Sequence, residues 1–354
     1  MQMTANSRKV FVAMSGGVDS SVAALLLKNE GHEVTGAFMR CYNLDGCSEQ
    51  DAEDARRVAE HLRIPFYVFD FEDDYKKRVV GYMVSGYKNG ITPNPDVMCN
   101  KEIKFGLFLE KALSLGADYI ATGHYVRKIN NSLYAAKDEN KDQSYFLWTL
   151  TQDQLKHCFF PIGDYTKPEI REIARKAGLS NADKKDSQGI CFLGNVRMED
   201  FLKDYIPKSR GSVFTTDGRK VGEHNGAHFY TIGQRHGLDL KDKNKELGVR
   251  GSTETEPHYV AVKDISTNTV VVAEGENNPA LFRKEIGLTE PNFLSGDKYE
   301  GEVLARVRYR QPLSKAVLRG NHLVFQNPQK FVAPGQSAVF YSENGEMLGG
   351  GIIA

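Results

Sequence analysis

Cysteine is scarce in this 354-residue chain: there are five, Cys41, Cys47, Cys99, Cys158 and Cys191. None forms a CxxC pair or a zinc-type spacing, and an odd number suits a secreted disulfide framework poorly, so a reducing, cytoplasmic setting is expected. Net charge is lacking too, because 46 Lys and Arg offset 46 Asp and Glu. A nucleic-acid partner would have to be met by a local basic patch. No run approaches about 18 consecutive apolar residues and the N-terminus has no apolar signal-type core, so neither a membrane partner nor a secretory signal is expected. Internal repeats and low-complexity tracts are absent from the sequence. What the chain does have is length, too much for one ordinary core, which predicts two or three domains.

From Lys9 to about Gly194, apolar runs alternate with helical stretches. VFVAM, EVTGAFM, FYVFD and DYIATG read as strands, with DAEDARRVAEHL and KEIKFGLFLEKALSLG as helices between them. Such alternation implies βαβ units and a parallel sheet with helices on both faces. Thr166, Lys167, Pro168 and Glu169 form a capping-box pattern with proline in the first turn, and Gly178 stands where that helix should stop. After Tyr205 the texture changes. Asp217-Gly218 between two short alternating runs predicts a hairpin, HYVAVKDISTNTVVVAEG reads as two more strands, and regularly spaced short strands from near Lys284 predict a small barrel. The expected organisation is an α/β domain over 1–205, a small β-rich central domain over 206–283 and a C-terminal β-barrel over 284–354.

The segment AMSGGVDSSVAALLL, Ala13 to Leu27, passes from an apolar strand through two glycines and an aspartate into an amphipathic helix from Ser20 onward. It lacks the lysine of a Walker A loop. Its glycines nevertheless allow close backbone approach, and their N–H groups with the following helix N-terminus make an anion site suited to phosphate. Tight packing at a strand end is the competing reading.

Two cysteines stand in chemically suggestive surroundings. GITPNPDVMCNKEIKFG holds two prolines that oppose regular structure, and a helix is expected to begin near Asn100. Asn94-Pro95-Asp96 would then be a rigid loop delivering Cys99 to a helix N-terminus, where dipole and free N–H groups favour thiolate. Cys191, in DSQGICFLGN, lies between Gly189 and Gly194, with Lys184 and Lys185 upstream to lower its thiol pKa. A small buried hydrophobe is the alternative for either sulfur. Beside a phosphate loop, two activated cysteines suggest a relay in which one carries a persulfide and the other resolves it.

In LARVRYRQP, Arg306, Arg308 and Arg310 recur every second residue, so on a strand they would form a phosphate-binding ridge with Tyr309 opposite. A solvated strand face is the alternative. His124, just after a strand, reads as either a polar contact or a satisfied core histidine. Gln143 and Ser144 read as a polar turn, and the aromatics of the following YFLW as core packing.

Ser15-Gly16-Gly17-Val18-Asp19-Ser20 resembles the pyrophosphate loop of the N-type ATP pyrophosphatase superfamily, whose members split ATP between the α and β phosphates and adenylate a substrate oxygen. That resemblance implies backbone contacts from Gly16, Gly17 and Val18 to pyrophosphate, hydroxyl contacts from Ser15 and Ser20, and Asp19 near magnesium. Nearly end to end, in the right order, NPDVMCNKEIKFG, ATGHY, KDQSYFLW, KDSQGICFLG, YTIGQRHGL and FQNPQKFVAPGQSAVFY closely resemble the tRNA-specific 2-thiouridylase family. The fold it implies is a parallel-sheet, adenine-nucleotide α-hydrolase-like domain carrying the pyrophosphate loop, followed by the two β-rich domains. It implies Cys99 as nucleophile, Cys191 as persulfide carrier, a transient Cys99–Cys191 disulfide, and Asp96 for acid–base work. ATP is assigned Ala13, Met14, Ser15 to Ser20, Met39 and Gly123; Ala13 stands where relatives often have glycine. The target base is assigned Asn94, Pro95 and Asp96, and tRNA is assigned His124, Lys141, Asp142, Gln143, Arg308, Tyr309 and Gln336.

The implied reaction is adenylation of O2 of wobble uridine 34 in the anticodon stem-loop of lysine, glutamate and glutamine tRNAs, then replacement of that oxygen by sulfur. ATP with Mg2+ is the co-substrate, and persulfide sulfur comes from a cysteine desulfurase or sulfur-carrier protein. Direct persulfide attack and prior release of sulfide remain two open routes. Three rivals stand beside this reading: an iron–sulfur cluster on Cys99, Cys191 and Asp96, a small-molecule synthetase or amidotransferase, and a non-catalytic tRNA-binding module.

Overall fold

A computed structural model describes residues 7–42, 47–185, 196–240 and 256–354. The first part is a five-stranded parallel sheet built from β1 (Lys9–Ala13), β2 (Glu33–Arg40), β3 (Phe66–Asp70), β4 (Tyr119–Thr122) and, beyond the small hairpin β5 (Arg127–Ile129) and β6 (Ser132–Tyr134), β7 (Cys158–Phe159), in the order β3-β2-β1-β4-β7. Central β1 is apolar because both faces are covered. Val10 and Val12 pack on one side with Val18 and Val22 of α1 (Val18–Asn29), Ala55 and Val58 of α2 (Cys47–Leu62), and Ile170 and Ala174 of the Lys167–Lys176 helix. Phe11 and Ala13 point to the other side, where Val97, Cys99, Ile103 and Phe108 lie. The capping box forms as the sequence predicts, Thr166 pairing with Glu169, and Gly178 follows the helix end at φ +69.

The strand order fixes where a ligand crevice can be. The chain runs outward from β1 to β2 and β3, then returns to place β4 on the opposite side of β1. Such a reversal opens a crevice at the carboxyl ends of the two strands it separates. The glycine loop follows β1 and Gly123 follows β4, so both face that crevice.

A second sheet takes Gly211–Thr215, Lys220–His224, Asp239–Leu240, His258–Asp264 and Thr269–Glu274. Asp217-Gly218 turns its hairpin, with Gly218 at φ +85. Six antiparallel strands, Phe282–Phe293, Gly301–Arg306, Ser314–Arg319, His322–Lys330, Ser337–Tyr341 and Met347–Ile353, close the C-terminal barrel. Ser337–Tyr341 is buried on both faces: Ala338 and Phe340 fill the barrel, whereas Val339 and Tyr341 pack with Tyr145, Leu147 and Trp148 of the first domain. The barrel is thereby docked on the side of the parallel sheet that carries Cys99.

Candidate functional site

The glycine loop is held from within. α1 begins at Val18, two residues earlier than the amphipathic pattern suggests, with Gly17 as its N-cap. Gly16 has φ +75, and a Cβ there would lie 2.4 Å from the Asp51 carbonyl oxygen, so only glycine fits. The Ser20 hydroxyl accepts from the Ser15 amide at 3.1 Å and donates to the Gly17 carbonyl at 3.2 Å, while Ser21 donates to the same carbonyl at 2.9 Å. Gly123 presses on the loop from β4: its missing Cβ would lie 2.6 Å from the Ser20 nitrogen. Met39, at the end of β2, packs on the cluster that contains Ala13 and Cys99. The loop's residues and Gly123 are therefore brought together, and Met39 lies on the side where Cys99 is buried.

Asp19 is engaged by two residues far along the chain. Tyr125 donates to Oδ1 at 2.8 Å, and Lys167 Nζ lies 2.8 Å from both carboxylate oxygens. Oδ2 has Lys167 as its one partner among the described residues, which leaves an oxygen lone pair for a cation. Magnesium commonly takes one or two carboxylates together with phosphate oxygens and water; Asp19 is one such carboxylate, already paired with Lys167, and among the described residues no group of three or more His, Cys, Asp or Glu gathers to hold a metal without the phosphates.

The cysteine segment corrects the expected helix boundary. The helix starts at Pro95, not near Asn100: Pro95–Met98 is its first turn, Cys99–Leu107 winds as a π-helix, and Phe108–Ser114 returns to α geometry. Proline suits this position because the first-turn N–H is unpaired in any helix. Asn94 is the cap, its Oδ1 accepting from the Val97 amide at 3.2 Å. Cys99 is therefore in the second turn, where its own N–H bonds back to Asp96 and Pro95, and the free-N–H argument for its thiolate fails. It is buried beside the sheet. Burial pushes the Asp96 carboxyl above its ordinary pKa, with Lys104 pulling the other way.

Lys104 was not singled out by the sequence patterns. It stands on the π-helix and also acts on His124, whose imidazole is pushed well below its ordinary pKa by burial first and Lys104 second. His124 is enclosed, bonded through Nδ1 to the Thr122 hydroxyl at 2.8 Å and beside the ring of Phe105. Here it is a satisfied core histidine, neutral at physiological pH.

Other assigned contacts serve the frame. Asp142 is buried, accepting from Ala136 and Ser144 amides and facing Arg306 at 3.4 Å. Gln143 accepts from the Tyr125 amide at 3.0 Å, and Lys141 is half-buried beside them. Tyr145, Leu147 and Trp148 are core, as the sequence predicts. The arginine ridge does not form, because the strand ends at Arg306. Arg306 turns inward to Asp142, Arg308 donates to the Ile232 carbonyl under the Phe331 ring, and Arg310 adopts φ +63 over Tyr309. Gln336 Nε2 donates to the Thr92 and Pro93 carbonyls at 2.9 and 3.2 Å, tying the barrel to the segment that starts the cysteine helix.

Lys184 pairs with Asp51 and Asp54 of α2 at 2.7 and 2.6 Å. Cys191 lies outside the described residues, and the iron–sulfur alternative and the disulfide turn on it. Cys158 is fully buried and burial pushes its thiol up to about 12, which suits its absence from the relay. Among the described residues no helix is long and apolar enough to cross a membrane.

Three family models match in succession: the tRNA methyl transferase HUP domain over 8–195, the tRNA methyl transferase PRC-barrel domain over 199–274, and the Aminomethyltransferase beta-barrel domain over 283–353. Fold and site thus define a HUP-class α/β domain, with a glycine loop at the switch point of its parallel sheet, joined to two β-rich domains. Among curated relatives, the tRNA-specific 2-thiouridylase MnmA of Streptococcus thermophilus is 44% identical over 99% of this chain and 96% of its own length. The tRNA-specific 2-thiouridylase MnmA 1 of Geobacillus kaustophilus is 47% identical over 98% of this chain and 95% of its own. The chain belongs to the tRNA-specific 2-thiouridylase family.

Proposed function

We propose that the protein thiolates C2 of wobble uridine 34 in tRNA at the expense of ATP. The observation that carries this reading is the anion loop at the β1/β4 switch point with Cys99 buried on the same side of the sheet as Ala13 and Met39. Loop amides of Gly16, Gly17 and Val18 bind the departing pyrophosphate. Asp19 would hold the magnesium that arrives with ATP, which would offset phosphate charge. Uridine O2 attacks the α-phosphorus and pyrophosphate leaves, so a poorly leaving oxygen becomes part of a well-leaving AMP. Extrusion of the base from its stack brings C2 to the site. Asp96, its carboxyl raised by burial, retains a proton more readily than an exposed carboxyl and can donate it near the base.

Sulfur arrives as a persulfide on Cys191 from a donor protein. In one route its terminal sulfur attacks C2 and expels AMP, and Cys99 then attacks the Cys191 sulfur, leaving 2-thiouridine. In the other Cys99 attacks first and releases sulfide, which attacks C2. Both end in a Cys99–Cys191 disulfide, which an external dithiol reduces with two electrons. On the tRNA side, Arg308, Tyr309 and Gln336 of the barrel, Lys141 to Gln143 and His124 are the proposed contacts, and the wobble uridines of lysine, glutamate and glutamine tRNAs the proposed targets. Because Asp142, Gln143 and His124 are internally bonded in the free protein, they serve this reading by shaping the surface or by rearranging with tRNA.

The test is nucleoside mass spectrometry on unmodified tRNA incubated with protein, ATP, magnesium and a persulfide source, a cysteine desulfurase with cysteine. A 2-thiouridine product with equal AMP and pyrophosphate, lost in Cys99→Ala, is expected. ATP cleavage without a thiolated base would favour a small-molecule synthetase, and a methylated base would favour the activity in the family models' names.

A further inference from the structure

Asn181 lies outside every sequence motif, in the turn after the Lys167–Lys176 helix, and is 4% exposed. Its side-chain nitrogen donates to the Gly16 carbonyl and to the Ser21 hydroxyl, each at 2.9 Å. The amide's orientation is settled by chemistry, because a carbonyl only accepts and a flipped amide would set oxygen against oxygen. The Asn181 oxygen is buried with no partner among the described residues. An apolar side chain would fill the space without that penalty, so the residue is useful there for its two N–H bonds.

What those bonds hold is a pair of peptide planes that glycine leaves unrestrained. Gly16 sits at φ +75 and is followed by Gly17, so no Cβ limits rotation of the peptide between them. In a trans peptide the carbonyl and the next N–H point in opposite directions. With the Gly16 carbonyl turned to Asn181, the Gly17 N–H is turned away from it, and among the described residues nothing accepts that hydrogen. The second plane is set by the Gly17 carbonyl, which accepts from the Ser21 amide at 3.3 Å, the Ser20 hydroxyl at 3.2 Å and the Ser21 hydroxyl at 2.9 Å; Asn181 supports it by donating to that last hydroxyl, and the Val18 N–H is also aimed away. Gly16 is braced on its other side by the Asp51 backbone, and the Asp51 carboxylate is paired with Lys184, three residues beyond Asn181.

We infer that Asn181 is the positioning residue of the anion loop, holding the Gly16 carbonyl directly and supporting the next peptide through Ser21, so that the Gly17 and Val18 amides face the pyrophosphate of ATP. The inference rests on the ATP reading above. It is tested by calorimetric titration of the full chain with magnesium pyrophosphate and, separately, with AMP. Asn181→Leu keeps the branched shape, adds no charge and loses both donors; Asn181→Ala is the second variant should the first not fold. The expected result is pyrophosphate binding weakened about tenfold or more, the scale of one lost well-aligned bond in a buried site, with AMP affinity and thermal midpoint little changed. Wild-type pyrophosphate affinity in folded variants would overturn the assignment alone. A wild-type protein that binds no pyrophosphate would overturn the assignment and the ATP reading together.

Discussion

A methyl group on Gly123 would lie 2.6 Å from the Ser20 nitrogen and 2.9 Å from the Asp19 carbonyl carbon. Both neighbours are backbone, which yields less easily than the end of a long side chain. Gly123→Ala should therefore cost about 1–3 kcal/mol of stability and displace the start of α1. Thermal melts should show a lowered midpoint, and steady-state kinetics a raised KM for ATP with the KM for tRNA unmoved. At this scale the sequence is informative where chemistry is local: Gly16, Gly17 and Asp19 are legible because a strand leads into them and a helix out. The partners of Asp19 are not, since Tyr125 and Lys167 lie 106 and 148 residues away. One signal was available for Lys167. A lysine in the first turn of a helix opposes the macrodipole, which hints at a carboxylate elsewhere that repays it.

The helix bearing Cys99 departs furthest from the boundary its sequence predicts, starting at Pro95. Two prolines suggested a loop as far as Asn100, but proline at the first helical position is favourable, and Asn94 caps the turn from outside. Asn94→Ala should cost about 1 kcal/mol and loosen the turn between Asp96 and Cys99. The expected kinetic signature is a lower kcat for thiolation with an unchanged KM for ATP, because the anion loop belongs to a different element. The π-helical winding of Cys99–Leu107 has no counterpart in the apolar periodicity of KEIKFGLFLEKALSLG, which fits an ordinary helix as well. The arginine repeat misled for a related reason: every-second spacing implies one face only while the strand lasts, and this one ends at Arg306. Strands and helices of the parallel sheet were easier, since their alternation is set by burial on both faces.

Across the whole molecule, the barrel and the nucleotide-type domain are joined through buried groups. Tyr145 donates to the Ser337 carbonyl at 2.9 Å, Trp148 Nε1 to the Ser337 hydroxyl at 3.0 Å, and Asn292 to the Trp148 and Leu150 carbonyls at 2.6 and 2.9 Å. This docking was not legible in the sequence, because it depends on which face of Ser337–Tyr341 looks outward. Trp148 is the single tryptophan of the chain, so its fluorescence reports the junction. A Cβ on Gly350 would lie 2.7 Å from its ring, and Gly350→Ala should shift the emission to longer wavelength, lower the midpoint, and raise the KM for tRNA more than that for ATP. Unchanged emission would mean the junction absorbs the methyl without moving the indole. The central claim, that ATP activates the uridine oxygen so that sulfur can replace it, is tested most directly by following that atom. With tRNA carrying oxygen-18 at O2 of the wobble uridine, the account predicts one heavy oxygen in every AMP formed per thiolated base. AMP without the label, alongside a 2-thiouridine product, would contradict it.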